Sequence, residues 1–440
     1  MRGPALPGNL FQAVAVRIPN VWSWFGASLA CMVALGAVPG VAQSKDQVAP
    51  TLGSAQPAFT AFAPASPNFL DARALDSKNR VAIDSIRTFS GGFQAAGVDP
   101  YGRPQHEWYY TMGGGLPQLG GTTVFDAPIV PVSLDLLDYD GSLRVVNGHP
   151  LHASVKPFVN AVVNSPVFET ADYSSSDVPT QFSDAVLRAE FYNLMKPDWH
   201  TLLRPSVKSE RTLSVPRGKY FFALNRDGSC CAFVLVDIKA FLSAFLPQSP
   251  SDVKSPVGGA EHARAITSKA LSTFLFPNTY LYRSDNPNHC CVLGFHTYDF
   301  EPGDVTNGFR EKRYVLNFSS WISPGIFAPG FEDISALSHE LTESLDNPFV
   351  GSDGVHGITP WWQAPNGHCQ DDLETGDVLE GLPEATTAIR TRGRTYHPQT
   401  EALLEWFAFE SPSSALAASY SYPNQNVLTA LSPPEAVNCR

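Results

Sequence analysis

A histidine and two glutamates lie within about one helical turn of each other at His339, Glu340 and Glu343. Aliphatic residues recur around them at intervals of three and four, which is the spacing of an amphipathic helix. These residues are Ile334, Leu337, Leu341 and Leu345, and Asp333 is suited to cap the helix N-terminus. At about 100° per residue, the aliphatic side chains share one face, and His339 and Glu343 project from the opposite face. We therefore expect a helix that packs on a core and presents ligands to a cleft.

The order of these residues matches a known way of building a metal site. In zinc peptidases a His-Glu-x-x-His helix supplies two ligands one turn apart, and the Glu between them is the general base. Here Glu343 takes the place of the second His. The pattern predicts His339 and Glu343 as Zn²⁺ ligands and Glu340 as the catalytic base. The alternative is a surface helix on which both glutamates are solvated and His339 is an ordinary polar residue.

A catalytic zinc site also needs a third protein ligand and an open position. The acidic segment that ends at Asp377 offers two candidates. Glu374 would complete a His, Glu, Glu set, and Asp377 would either replace it or accept a hydrogen bond from the ring N–H of His339. With two carboxylates and one imidazole, the ion would acidify a bound water less than at a site with two imidazoles. Metal binding therefore follows more directly from the pattern than catalysis does.

Other side chains could join the site. Four histidines could replace Glu374 as the third ligand or stabilise an oxyanion. The alternative for each is an ordinary solvated residue. They are His296, His356, His368 and His397. Trp361 and Trp362 could form an aromatic platform for a sugar or a peptide, or could pack into the core.

A series of short motifs spans residues 330–385. They are Ser338-His339-Glu340-Leu341, Glu343, Asn347-Pro348, Trp361 or Trp362, Ala364-Pro365, Glu374, Gly376-Asp377 and Glu380-Gly381. They follow the same order as in the EXORDIUM, or phosphate-induced, protein family, which this segment resembles. The resemblance implies a zincin-like, metal-binding extracellular domain and points to no particular reaction. Elsewhere, notably at residues 288–296 and 396–399, the chain looks like uncharacterised secreted bacterial proteins.

The N-terminal residues have the pattern of a secretory signal peptide. Residues 21–38 carry no charge and follow Arg2 and Arg17, and small residues precede Gln43. The region ahead of the apolar run is long for a signal, so downstream initiation or an uncleaved anchor is the alternative. We expect removal of residues 1–42 and a secreted or periplasmic protein. No later stretch reaches the ~20 apolar residues of a spanning helix, so no membrane partner is expected after removal.

Composition narrows the class of partner. The net charge is −12 and only 16% of residues are charged, which argues against nucleic acid and anionic membranes as partners. The 37 prolines and 33 glycines indicate a loop-rich, β-containing protein and not a helical bundle. We expect an extracellular peptide or cell-wall substrate, and the sequence does not set the oligomeric state.

Cysteine usage fits an oxidising compartment. Six cysteines remain after Cys31 leaves with the signal: Cys230, Cys231, Cys290, Cys291, Cys369 and Cys439. Each adjacent pair opens an apolar run, and successive residues of a strand point to opposite faces, so adjacent cysteines are poorly placed to bridge each other. We expect disulfides between the two pairs and between Cys369 and Cys439. Neither pair has the C-x₂-C spacing of a zinc site.

The pattern along the chain predicts four regions: a signal peptide at 1–42, a disordered linker at 43–75, a β-rich region at 76–250 and a zincin-like metal-binding domain at 251–440. A Pro and Ser cluster at 247–256 marks the middle boundary. A helix is expected near residues 183–192, and strands are expected at residues 220–224, 231–236 and 314–318.

The expected fold is α+β, with a mixed sheet beside the ligand-bearing helix. The expected function is that of an extracytoplasmic zinc-dependent hydrolase, most directly a peptidase. The alternative is a non-catalytic extracellular module that binds cell-wall polysaccharide and holds a structural metal ion.

Overall fold

The computed structural model describes residue 52 and residues 83–94, 107–173, 178–328, 330–350, 362–370, 373–408, 410–412 and 416–431. The expected signal peptide, Cys31, His356, Trp361 and Cys439 lie outside the described residues, as does nearly all of the expected linker. The side chains of Trp362 and Cys369 also lie outside the described part of the structure. The expected aromatic platform and the expected Cys369–Cys439 disulfide therefore stay predictions.

The strands, in chain order, are β1 (Ile83–Asp84), β2 (Thr88–Gln94), β3 (Glu107–Gly113), β4 (Thr122–Leu136), β5 (Val145–Val146), β6 (His149–Pro150), β7 (His152–Ala153), β8 (His200–Val207), β9 (Arg211–Val215), β10 (Tyr220–Leu224), β11 (Cys230–Asp237), β12 (Leu271–Pro277), β13 (Thr279–Tyr282), β14 (Cys290–Val292), β15 (Gly294–Glu301), β16 (Glu311–Trp321), β17 (Trp362–Gln363), β18 (Cys369–Gln370), β19 (Ile389–Thr391), β20 (Arg394–Tyr396), β21 (Glu401–Ala402) and β22 (Ser421–Tyr422). The helices are α1 (Lys156–Val163), α2 (Phe182–Glu190), α3 (Ile238–Phe245), α4 (Pro256–His262), α5 (Ser335–Asp346) and α6 (Leu404–Ala408). The α+β class is therefore confirmed.

The main sheet contains eight strands built around β4, β12 and β16. These three run parallel to one another, and β8 and β9 pair in parallel with successive halves of β4. Strand β15 joins β16 in the antiparallel sense, with His296 opposite Asn317. The segments 122–125 and 129–132 appear in the sequence as separate apolar runs, but they belong to one strand. Strand β4 changes partner from β8 to β9 along its length, and it continues through its interior prolines.

A second sheet has the order β10, β11, β13, β14. It supports the main sheet through an aromatic core in which Phe241 of α3 contacts Phe276, Phe295 and Phe318 of the main sheet. Strand β14 leads directly into β15. This core therefore fixes the strand that carries His296.

Helix α5 is buried along its whole length. Its aliphatic side chains, Ile334, Leu337, Leu341 and Leu345, lie in a core cluster with residues of the main sheet, as the spacing indicates. The helix is also covered on other sides, since Ser183 of α2 is hydrogen-bonded to Thr342 at 2.9 Å. The expectation of a helix with one face open to a cleft is wrong for the described residues. Asp333 lies one residue before the assigned N-cap, and its carboxylate accepts the N–H groups of Ile334 and His397.

The division expected at residues 250 and 251 is not a boundary within the main sheet. Strand β4, from the first of the two regions, pairs with β12, from the second. Both belong to one compact unit, Asp46–Arg440. The Pro and Ser cluster instead forms a loop that ends at the N-cap of α4, where the Ser255 side chain accepts the N–H of Gly258.

The expected cross-link between the two Cys-Cys runs is wrong. Cys230 is bonded to Cys231, and Cys290 is bonded to Cys291. The expectation assumed a trans peptide, which sends adjacent side chains to opposite faces, but the peptide within each pair is cis. Strands β11 and β14 lie in the same sheet with β13 between them.

Among the described residues, no helix is both long enough and apolar enough to cross a membrane.

Candidate metal centre

Three segments, one of which is α5, bring imidazoles and carboxylates together. The helix supplies His339, Glu340 and Glu343, and β15 supplies His296. The loop that follows β18 supplies Glu374 and Asp377. His296, His339 and Glu340 are 0% exposed, and Glu343 is 1% exposed. Such burial of ionisable groups is costly unless the charges are compensated.

The ring of His296 faces three carboxylates. Its Nδ1 atom lies 3.5 Å from Oε2 of Glu340 and 3.5 Å from Oε2 of Glu343. The same atom lies 3.7 Å from Oε2 of Glu374. Strand β15 therefore supplies a ligand position that the helix alone does not provide.

The ring of His339 faces an overlapping set. Its Nε2 atom lies 3.0 Å from Oε2 of Glu343 and 3.5 Å from Oδ1 of Asp377. Oε1 of Glu340 is 4.0 Å away. The i,i+4 spacing on α5 thus places His339 beside Glu343, as the sequence predicts.

Amide groups hold the outer oxygens of two carboxylates. The N–H groups of Gly376 and Asp377 donate to Oε1 of Glu343, at 2.9 and 3.3 Å. The Asn347 side chain donates to Oε1 of Glu374 at 3.0 Å. Oε2 of Glu343 faces both imidazoles, and Oε2 of Glu374 faces His296. Supporting hydrogen bonds of this kind orient metal ligands.

Two glycines allow the backbone to approach the site closely. A Cβ atom at Gly294 would lie 2.5 Å from Oε1 and 2.6 Å from Cγ of Glu340. A Cβ atom at Gly376 would overlap Nδ1 of His339. A side chain at either position would displace a site residue.

The electrostatic field of the site is negative. Burial alone would lower the pKa of His339, but nearby carboxylates, with Glu343 first, hold this pKa well above its ordinary value. The pKa of His296 is also well above its ordinary value, against the effect of burial, and Glu374 makes the largest opposing contribution. Burial raises the pKa of Glu340 to about 8, although both imidazoles oppose the shift. The pKa of Glu343 is held far below its usual range because the imidazoles outweigh its burial. A cation is favoured in such a field.

The donor set fits a divalent ion. Two ligands that share a tetrahedral ion at about 2.0–2.2 Å lie roughly 3.4 Å apart, close to the distances around both imidazoles. Among the described residues, neither ring nitrogen of His296 and neither carboxylate oxygen of Glu340 makes a hydrogen bond. Buried polar atoms of this kind call for a further partner. Neutral imidazole and carboxylate suit zinc, manganese and iron.

The sequence-predicted residues His339, Glu340, Glu343, Glu374 and Asp377 meet at this centre. Of the competing histidines, His296 enters it, whereas the other two described ones lie elsewhere. His368 is an exposed residue 3.7 Å from Glu380, and His397 is hydrogen-bonded to Asp333.

Sequence reasoning ranked His296 no higher than the other histidines. The available signal was its position inside an apolar run, Gly294 to Tyr298, where a histidine must be buried with its strand. The sequence also did not indicate that Asn347 and the backbone N–H of Gly376 hold the carboxylates of the centre by hydrogen bonds. It also missed a second group of buried acidic residues beside the centre, Glu190, Asp346 and Glu401.

A surface groove of about 1130 Å³ lies elsewhere on the protein. His397, Phe331 and Asn424 are among its lining residues, and no member of the centre is. The groove therefore offers no cleft to the ligands.

Comparison of the chain with protein-family models, with curated proteins and with solved structures gives no match.

Proposed function

We propose that the protein is a divalent-metal-dependent hydrolase. The observation that carries this proposal is the buried convergence of His296 and His339 on Glu343, with donor distances of 3.0 and 3.5 Å. Charged groups buried at this depth are stable in a folded protein when a bound ion balances them. An ion here would be held by ligands drawn from His296, His339, Glu343, Glu374 and Asp377.

The two imidazoles change the chemistry expected from a His, Glu, Glu set. Each neutral imidazole that replaces a carboxylate leaves more positive charge on the centre. A Zn²⁺ ion bound there would supply Lewis acidity and lower the pKa of water. Two imidazoles on one ion would therefore favour hydrolysis more than one imidazole and two carboxylates would.

Glu340 is the residue suited to accept a proton. It lies between the two imidazoles, and neither of its oxygens makes a hydrogen bond among the described residues. Burial raises its pKa to about 8, which brings it near the pH at which a general base works best. We assign Glu340 as the base that takes a proton from water during attack on a carbonyl.

Peptide bonds are the substrate class we propose, with Zn²⁺ as the ion. The His-Glu-x-x-Glu helix and the mixed sheet beside it are what a zincin-like domain would contain. Resemblance to the EXORDIUM family and the signal-like N-terminus favour a secreted or periplasmic protein that meets extracellular peptide or cell-wall material.

One observation favours a second candidate function. His339 and Glu340 are both 0% exposed, so the described residues leave no route for substrate to reach them. A closed site is typical of structural zinc. In this alternative the ion stabilises a non-catalytic extracellular module that binds cell-wall polysaccharide.

The Glu340→Gln variant separates the two functions. Wild type and variant, purified without chelator, would be compared for bound metal and for cleavage of a broad peptide library. A hydrolase loses cleavage and keeps its metal, because Gln retains the shape but does not accept the proton. Glu384→Gln, at an exposed position outside the centre, is the matched control. If the wild type binds metal and cleaves nothing, the binding module is the correct function.

A further inference from the structure

The donor atoms of the centre form two groups and not one. Among the described residues, candidate ligand atoms can be grouped into sets in which every atom lies within 4.8 Å of the others. The two imidazoles fall into different sets. His296 belongs with Glu343 and Glu374, and His339 belongs with Glu340 and Glu343. Ligands of a single ion at about 2.1 Å lie no more than about 4.2 Å apart. Each imidazole therefore belongs to a different set of ligands, and the two sets overlap.

Glu343 is common to both groups. Its Oε2 atom lies 3.0 Å from Nε2 of His339 and 3.5 Å from Nδ1 of His296. Its Oε1 atom accepts the backbone N–H groups of Gly376 and Asp377, which fixes the direction of Oε2. A carboxylate oxygen held between two imidazoles has the position of a bridging ligand.

A further carboxylate flanks each imidazole on its own side. Oε2 of Glu374 lies 3.7 Å from His296, and Oδ1 of Asp377 lies 3.5 Å from His339. Glu340 presents Oε2 to His296 and Oε1 to His339. The arrangement is thus repeated on either side of Glu343.

We propose that the centre binds two divalent transition-metal ions bridged by Glu343. One ion is held by His296, Glu374 and Glu343, and the other by His339 and Glu343, with the carboxylates of Glu340 and Asp377 also facing the ring of His339. Glu340 faces His296 as well, and its carboxylate is the one that the proposed function uses as the base. The inference rests on the metal site of the proposed function and specifies its nuclearity. Two-metal hydrolytic sites hold their ions about 3.5–4 Å apart.

The test measures bound metal directly. Metal-free full-length protein would be titrated with Zn²⁺ by calorimetry, and bound zinc would be counted by elemental analysis after gel filtration. Mn²⁺ loading followed by electron paramagnetic resonance would report magnetic coupling between neighbouring ions. We expect two zinc ions per chain and a coupled Mn²⁺ signal.

Isosteric variants assign the sites. Glu374→Gln and Asp377→Asn should each lower zinc from about two ions to about one per chain and abolish the coupled signal. Glu384→Gln, at an exposed position, should keep both ions and the coupled signal, and circular dichroism would show whether each variant folds.

The outcomes separate this inference from the proposed function. One zinc per chain in the folded wild type, or no coupled Mn²⁺ signal at saturation, would overturn the dinuclear centre and leave a mononuclear hydrolase standing. No bound metal at all would overturn both. Two ions without peptide cleavage would support this inference and reject the peptidase.

Discussion

The Nδ1 atom of His296 on β15 lies 3.5 Å from Oε2 of Glu343 on α5. This contact joins an antiparallel strand of the main sheet to the helix packed against it. Since the aromatic core between α3 and the main sheet holds β15, the site is assembled by the fold as a whole. Changes to the proposed ion, the proposed base or the aromatic core should therefore have separable effects.

Removing the proposed ion should lower the thermal midpoint of unfolding. Without metal, the buried carboxylates around His339 and His296 lose the contribution of the ion, and binding to the folded state alone contributes about 4 kcal/mol at a thousandfold excess over the dissociation constant. Calorimetry with and without a chelator measures this effect. Zn²⁺ should restore the midpoint and Mg²⁺ should not, because imidazole ligands disfavour Mg²⁺. An unchanged midpoint after verified metal removal would contradict it.

Glu340→Gln should reduce peptide hydrolysis by about 10²–10⁴-fold, the usual loss for a general base. Bound metal and the thermal midpoint should change little, because the amide keeps the shape of the carboxylate. Rates measured on the best substrate of the wild type, with zinc counted in the same samples, decide this. Wild-type rates in the variant would remove Glu340 from the mechanism.

Gly294→Ala should reduce the rate of hydrolysis to a similar extent, although it substitutes no ionisable residue. The new methyl carbon would lie 2.5 Å from Oε1 of Glu340 and would push that side chain away from the imidazoles. Gly115→Ala is the matched control, since its methyl carbon would meet the end of the exposed Arg87 side chain at 3.1 Å and Oγ1 of Thr123 at 3.4 Å. Equal activity in both variants would show that the position of Glu340 is not critical.

Stability should fall as pH rises from about 4.5 to about 7, in part because of Glu405. Burial, with the charge of Glu410 acting in the same direction, raises the pKa of Glu405 from about 4.5 to about 7. Between these values the unfolded chain releases the proton and the folded chain retains it, so the free energy of unfolding decreases with pH and then levels off.

Glu405→Gln should remove this part of the slope and stabilise the protein at pH 8 by up to about 3 kcal/mol, at about 1.4 kcal/mol for each unit of pKa difference. Urea unfolding from pH 4 to 8 measures it. A variant with the wild-type slope would show that Glu405 is ionised in the folded protein.

Phe318→Ala should destabilise the protein by about 3–5 kcal/mol through the cavity that it leaves. Phe318 is 0% exposed, and its ring centroid lies 4.8 Å from that of Phe241 and 5.2 Å from that of Phe295. Phe309→Ala is the control, because Phe309 is 69% exposed. Denaturant midpoints for the two variants should therefore differ clearly. Similar midpoints would argue against the aromatic core as the support of β15.

Local patterns were sufficient for several elements. The ligand helix was expected from the spacing of its leucines and is observed as α5, and the strand expected at residues 220–224 is β10 with the same bounds. The strand expected at 314–318 is the centre of β16. These succeed because helical period and strand propensity are properties of neighbouring residues.

Local patterns do not predict which strands pair with each other or which polar side chains are buried. Alternation fails in β12 and β15 because side chains on both faces of these strands are buried, so the sequence does not mark which face carries His296. The disulfide pairing also depended on a peptide geometry that composition does not reveal.

The sequence by itself determined the phase of His339, Glu340 and Glu343 on one helix, because residues three and four apart share a helical face. Only the tertiary structure decided that His296 meets them and that the whole helix is buried. A ligand set gathered from a strand, a helix and a loop depends on contacts between distant segments, and periodicity within any one segment carries no information about them.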